Sequence, residues 1–287
     1  DDSATDSFGQ PINAAEVLLD QLWLKFDVAR VAFLTIGQQP IRWGPARVWN
    51  PTDFLNRSFR EALTLFDERV GLGLVKLHIP VELLGWNFYA IADLDKVKRP
   101  DEVGGAFRAE FLIDQTELAL SFAARKDTPY RLGASISSGF WLMDIWAELA
   151  VLHDVSEPRY SGTFSFDALA ATGDALIEAI QDAPVARDIS GQWWPRVSAG
   201  LEFSIDLGED DALFIGAEYA FNSLGYDDNV LYPWLLINGG FTPLYVGKHY
   251  AGAYLLLPAP GRLDDATFTL TTLGNLSDLS FISRFDL

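Results

Sequence analysis

The chain has no cysteine, only three histidines and a single methionine in 287 residues. Without thiols, nothing is stapled by disulfides or ligated through thiolates. Basic residues are also scarce: 21 Lys and Arg stand against 40 Asp and Glu, a net charge of −19. That balance leaves no basic stripe to meet phosphates, so nucleic acid is excluded as a partner. There is no run of 18 apolar residues and therefore no transmembrane helix. Neither G-x-S-x-G nor H-E-x-x-H occurs. A lipase-type site on a strand needs His and Ser two positions apart, so that both share a face. His153 and Ser156 are three apart. The expectation is that the chain is not an enzyme and carries no catalytic residues, no metal and no cofactor.

What the chain has instead is alternation. In 103–114, Val103, Gly105, Phe107, Ala109, Phe111 and Ile113 fall on one side. Gly104, Ala106, Arg108, Glu110 and Asp114 fall on the other, with Leu112 as an exception. Successive side chains of a strand point to opposite faces, so one face is oily and the other charged. A soluble sandwich shows this too, but seldom so often and at such length. About 9–11 residues is what a tilted strand needs to cross a bilayer.

Strands are expected at 22–28, 31–42, 70–79, 86–95, 103–113, 116–125, 130–140, 143–153, 196–206, 212–222, 244–257, 266–272 and 277–285. A slip of phase between Leu74 and Val75 suggests a bulge or a wrong strand boundary. Connections alternate between short and long, the long ones at 44–69, 154–192 and 223–243. Bacterial single-chain barrels have even strand counts, with short turns at one end and long loops at the other. The expected fold is all-β: one transmembrane antiparallel up-and-down β-barrel domain over 1–287, with about 14 strands (12–16) and short loop helices. The missing strand would lie in 7–19 or 160–166, and 1–18 would be an N-terminal extension or that first strand. One helix is expected after Asn50-Pro51-Thr52-Asp53, carrying Phe54, Leu55, Phe59, Leu63 and Phe66, with Thr52 or Asp53 as its cap. A second is expected over 167–182.

Ionisable groups facing lipid are expensive, so Arg108, Glu110, Glu117, Arg125, Arg131, Asp144, Glu148, Arg196, Glu202, Glu218, Lys248 and Arg284 are expected to line the lumen. They either pair with one another in a filled interior or ring a water-filled passage. Trp23, Trp43, Trp49, Trp86, Trp141, Trp193, Trp194, Tyr232 and Trp234 fall near expected strand ends, the place of an aromatic girdle. The histidines are read as girdle or lumen residues.

Three boxes carry a resemblance. Thr35-Ile36-Gly37-Gln38-Gln39-Pro40-Ile41-Arg42-Trp43-Gly44 continues to Trp49-Asn50-Pro51-Thr52-Asp53. Its G-x-Q-x-I-x-W-G strand and N-P-x-D loop resemble a box of poorly characterised proteobacterial outer-membrane porin-like barrels. The stretches 216–228 and 245–250 resemble the same group. The departure is the ending Phe285-Asp286-Leu287, where such barrels finish on an aromatic residue. The resemblance implies an outer-membrane location, with a signal peptide removed, and outer-membrane lipid as a partner. Passive passage of small hydrophilic solutes or a polymer is the expected function. The alternatives are a plugged barrel serving as a membrane anchor or scaffold among other envelope proteins or further copies of itself, and, more weakly, a barrel enzyme.

Overall fold

The computed structural model describes residues 19–56, 63, 70–164, 172–174, 177, 183–208, 211–263 and 265–287. The strands run β1 (Leu22–Val28), β2 (Ala32–Gln39), β3 (Leu72–Val81), β4 (Trp86–Asp93), β5 (Gly104–Ile113), β6 (Thr116–Ala124), β7 (Tyr130–Phe140) and β8 (Met143–His153). Next come β9 (Arg159–Ser161), β10 (Val185–Arg187), β11 (Trp193–Gly208), β12 (Asp211–Asn222), β13 (His249–Pro258), β14 (Thr267–Asn275) and β15 (Ser280–Asp286). Thirteen of them form one sheet in which each strand pairs antiparallel with its neighbour in the chain, β8 passing directly to β11. The other two, β9 and β10, pair with each other inside the β8–β11 connection. So the strand around Tyr160 belongs to a small separate ribbon and does not add to the large sheet. The other proposed place for an extra strand, 7–19, and the two expected helices fall largely outside the described residues.

Turn chemistry explains the short end. Ala29 and Arg30 both take positive φ, 56° and 58°, the pair of left-handed residues that a tight hairpin requires. The Arg30 N–H donates to Asp27 Oδ1 at 2.7 Å and holds that turn. Asp114 and Trp141 do the same single-residue service in the β5–β6 and β7–β8 turns, with φ of 54° and 59°. At the opposite end the chain makes its long excursions: 40–71, 154–192 and 223–248.

β3 pairs with β2 and β4 without any shift of register. The slip between Leu74 and Val75 is therefore no bulge. Leu72 and Leu74 are apolar residues on the charged side of the sheet because something apolar packs there. That something is the start of the β2–β3 connection. Trp43, Phe54 and Leu55 form one buried cluster with Leu74 of β3, Ile91 of β4, Ala106 of β5, Ala123 of β6 and Ala150 of β8. Val48 and Trp49 form another with Ala220 of β12, Tyr250 of β13 and Leu273 of β14. One short segment thus touches strands from β3 to β14, which requires the sheet to curl around it.

The curled sheet is inside-out. Register places Leu22, Leu24, Phe107, Leu120, Ile136, Leu149 and Leu201 on the outer face. Phe107 is 58% exposed and Leu24 65%, whereas Glu148 on the inner face is 2% exposed. Rings collect on the outer face near the strand ends. Trp86 meets Phe111 edge-on at 5.2 Å at the short-turn end. His153 packs on Trp193 at 4.2 Å at the long-loop end. The aromatic set is smaller than expected from sequence: Trp43 and Trp49 are buried inside, 4% exposed each. Trp23 and Trp194 fall on the inner face by register, and Tyr232 and Trp234 sit in α1 (Tyr232–Ile237) of the β12–β13 connection, a helix that the sequence reading missed.

Candidate functional site: a segment seated inside the curled sheet

Residues 41–56 run into the hollow of the sheet and are held there by two carboxylates. Glu148 of β8 and Glu218 of β12 project from the inner face at mid-strand, where alternation puts them. Glu148 accepts from the Ala46 N–H at 2.7 Å, the Thr52 N–H at 3.1 Å and the Thr52 hydroxyl at 2.6 Å. Glu218 accepts from three successive backbone N–H groups: Arg47 at 2.8 Å, Val48 at 3.2 Å and Trp49 at 2.5 Å. The Trp146 indole N–H adds a fourth bond, at 3.2 Å. Buried backbone donors without partners are costly, so a segment with no secondary structure can sit here only because these acceptors await it.

The rest of the motif shapes the segment to fit. Gly44 has φ +84°, and a Cβ there would overlap Glu148 Oε1, Asn50 Oδ1 and Thr52 Oγ1. Only glycine meets both conditions. Asp53 Oδ1 accepts from the Trp43 N–H at 3.4 Å and the Asn56 amide at 2.9 Å, tying the two limbs together. Thr52 and Asp53 both help to seat the segment, and the helix expected after them lies largely outside the described residues. The Trp49 indole donates to the Leu244 carbonyl at 3.0 Å, and its ring lies 5.4 Å from Tyr250. Arg47 reaches Glu202 at 3.3 Å and lies over the Trp146 ring. Glu202 also accepts from the Tyr254 hydroxyl at 2.5 Å.

The structure brings most of the predicted lumen residues to this inner face. Arg108 bonds Glu110 at 2.7 Å, lies 3.9 Å from Glu117 and stands over the Trp43 ring. Arg125 pairs with Asp93 at 2.7 Å. Arg131 donates to the Phe54 carbonyl at 2.5 Å, and Arg196 to Asn222 at 3.1 Å. Asp144 lies opposite Glu202 by register, and Arg284, on the edge strand β15, bonds Asp286. Lys248 stands apart: it precedes β13 and pairs with the exposed Asp227 at 2.6 Å. That bond, above all, holds the Asp227 carboxyl below the usual range.

The three sequence boxes meet in space. Tyr226 and Lys248 exchange backbone bonds with the facing stretch: Tyr226 N–H to Val246 O at 2.9 Å and Lys248 N–H to Tyr226 O at 3.0 Å. Arg159, beside them, donates to the Gly225 carbonyl at 2.9 Å and lies over the Tyr226 ring. The same boxes supply Glu218 and Tyr250, which hold Val48 and Trp49.

No histidine lies with a serine in a nucleophile–base arrangement among these contacts. His153 faces outward against Trp193, His249 bonds the Tyr219 hydroxyl at 2.7 Å on the outer face, and His78 bonds Asn87 at 2.8 Å on the inner face. Among the described residues no group of three or more His, Cys, Asp or Glu side chains is arranged to hold a metal. The chain matches no protein-family model, and no curated protein matches it significantly.

Proposed function

We propose that the chain is a bacterial outer-membrane β-barrel that works as a porin-like passive channel for small hydrophilic solutes, with residues 41–56 as its constriction. The inside-out sheet is the observation that carries this reading. A face of exposed Leu, Ile and Phe bounded by rings at both strand ends matches a lipid-facing band between aromatic girdles. The charged face turned inward matches an aqueous interior. The resemblance of the 35–53 box to outer-membrane barrels supports the same reading. Closure would join the free edges of β1 and β15. Both strands run from the long-loop end to the short-turn end, so direct pairing makes a parallel seam, and one further strand between them makes every pair antiparallel.

The segment does not favour a wide pore. It packs on both sides of the hollow, which supports the second reading, a plugged barrel anchoring other envelope proteins. Purified chain reconstituted into a planar bilayer separates the two. Discrete conductance steps of modest size, with a weak preference for cations, are expected. A barrel that inserts but passes no current would move the assignment to the anchor, and a chain that stays soluble and does not insert would end the membrane reading.

A further inference from the structure

The connection between β8 and β11 builds a hollow of its own at the long-loop end. Its β9–β10 ribbon is pinned to the β12–β13 connection. The Tyr160 N–H donates to the Tyr226 hydroxyl at 3.1 Å, and Arg159 reaches the Ser223 and Gly225 carbonyls at 3.4 and 2.9 Å. Between the ribbon and the start of β11 lies a cavity of about 360 Å³, whose wall includes Arg159, Ser161, Arg187, Ile189, Gln192 and Trp194.

Two features of that wall are not explained by folding. Arg159 and Arg187 stand directly opposite each other in the ribbon, where like charges repel. The Trp194 indole N–H is buried and meets no acceptor, and a buried donor left unpaired is destabilising. The nearby carboxylates are turned elsewhere. Asp188 accepts from the Ser190 N–H at 2.9 Å. Asp227, which acts on Arg159, is bonded to Lys248 at 2.6 Å. Glu157 is exposed and acts on Arg196 of β11. Arg159 itself is committed to its two carbonyls and lies over the Trp194 and Tyr226 rings. Arg187 uses only its Nε, which donates to Ser161 Oγ at 2.9 Å; its terminal amino groups meet no acceptor among the described residues.

What the wall offers is therefore donors, and it calls for a ligand made of acceptors. A phosphate group carries three strong acceptor oxygens and nearly two negative charges. A guanidinium binds two of those oxygens with parallel N–H donors, and an indole N–H can take a third. About 150 Å³ is enough for one benzene ring, so the cavity has room for a phosphate and a ring-sized organic group beside it. We infer that this cavity binds a phosphate monoester, its phosphate held by the Arg187 fork and the Trp194 indole N–H, with Arg159 contributing a fixed positive charge. The inference goes beyond the channel reading and does not need it.

Titration calorimetry on the full chain, folded in micelles of an uncharged, phosphate-free detergent, tests it. Glucose 6-phosphate is the soluble probe, with glucose as its neutral counterpart. Micelles doped with phosphatidate supply the lipid probe, with phosphatidylglycerol, a diester, as its counterpart. At least one monoester should bind ten times or more tightly than its counterpart, and binding should weaken as salt rises. Glucose 6-phosphate alone identifies a soluble ester, phosphatidate alone a lipid headgroup. Arg187→Gln should weaken binding at least tenfold and Arg187→Lys less. Trp194→Phe should weaken it threefold or more. Arg262→Gln, the same charge change in the turn between β13 and β14, should leave it as in wild type. Folding of each variant is read from its heat-dependent migration on gels. Counterparts binding as well as the monoesters, no binding at all, wild-type affinity in a folded Arg187→Gln or Trp194→Phe, or an equal loss in Arg262→Gln would each overturn the inference. Because binding is read without current, a non-conducting barrel that binds a monoester refutes the channel alone. A conducting barrel that binds none refutes the site alone.

Discussion

Replacing Glu148 and Glu218 together by alanine should unseat residues 41–56 while leaving the sheet intact. Glu148 accepts from three donors and Glu218 from four, all in the hollow. A buried donor left without a partner costs about 1–3 kcal/mol. Glu148→Ala alone therefore costs about 3 kcal/mol at the low end of that range, and the double variant roughly twice that. Packing of Trp43, Phe54, Val48 and Trp49 opposes release, but their clusters draw on strands at opposite sides of the hollow, and a slack backbone cannot serve both at once. The twelve strand pairings of the large sheet use other atoms and survive. Trypsin offers a direct readout, since Arg42 and Arg47 lie inside the segment. The wild-type protein should resist cleavage there, and the double variant should be cut at both. Its conductance in a planar bilayer should rise severalfold, with each single variant in between. A folded double variant that resists trypsin and conducts like wild type would refute the reasoning.

Gly44→Ala should mimic part of this effect, since a methyl group at φ +84° strains the backbone and overlaps Glu148 and Thr52; a loss of about 1–3 kcal/mol in urea titrations is expected. Ala109→Arg, on the outer face opposite Phe88 and Leu120, should cost about 2–4 kcal/mol at mid-membrane. Ser204→Arg, on the exposed inner face of β11, should cost little in the same lipid-vesicle unfolding assay, and equal costs would reverse the assignment of faces. Neutralising Glu110 and Glu117 should move the reversal potential in a salt gradient toward anions, an effect that fades at 1 M salt, where the Debye length is about 3 Å. Asp227, held low by Lys248, contributes stability that is present above the ordinary carboxylate pKa and lost only as pH falls through its depressed one. Lys248→Met should therefore raise the Asp227 titration measured by NMR.

Alternation made most of the sheet legible in advance. β1, β7 and β8 have the bounds that the pattern gives, because each turns at a tight hairpin or carries strict period two on both faces. Expectations failed where inner-face residues are apolar. Leu72 and Leu74 broke the phase of β3, and Trp43 and Trp49 passed for girdle residues, for one physical reason: an apolar segment packs against the inner face, and local periodicity carries no sign of a contact some hundred residues away. Two clues were present, a Trp-Gly pair followed by a loop rich in turn formers, and inward carboxylates at the middle of β8 and β12. Neither says which donors the carboxylates meet. The short helix at Tyr232–Ile237 went unread because one and a half turns give too few positions for a 3.6-residue period to show.

The seating of residues 41–56 sets an order of events in assembly. The segment leaves the ribosome between β2 and β3, yet its two anchors follow 102 and 171 residues later. Chain entropy is not what delays it, since each doubling of a loop costs only about 0.6 kcal/mol. The delay is geometric: the second anchor does not exist in place until β12 has joined the sheet. Through the addition of eight further strands to the sheet the segment stays unclasped, and its docking is a closing step distinct from hairpin growth. Burial of Trp43 and Trp49 is then the last event of folding, a late fluorescence phase that trails the appearance of β structure.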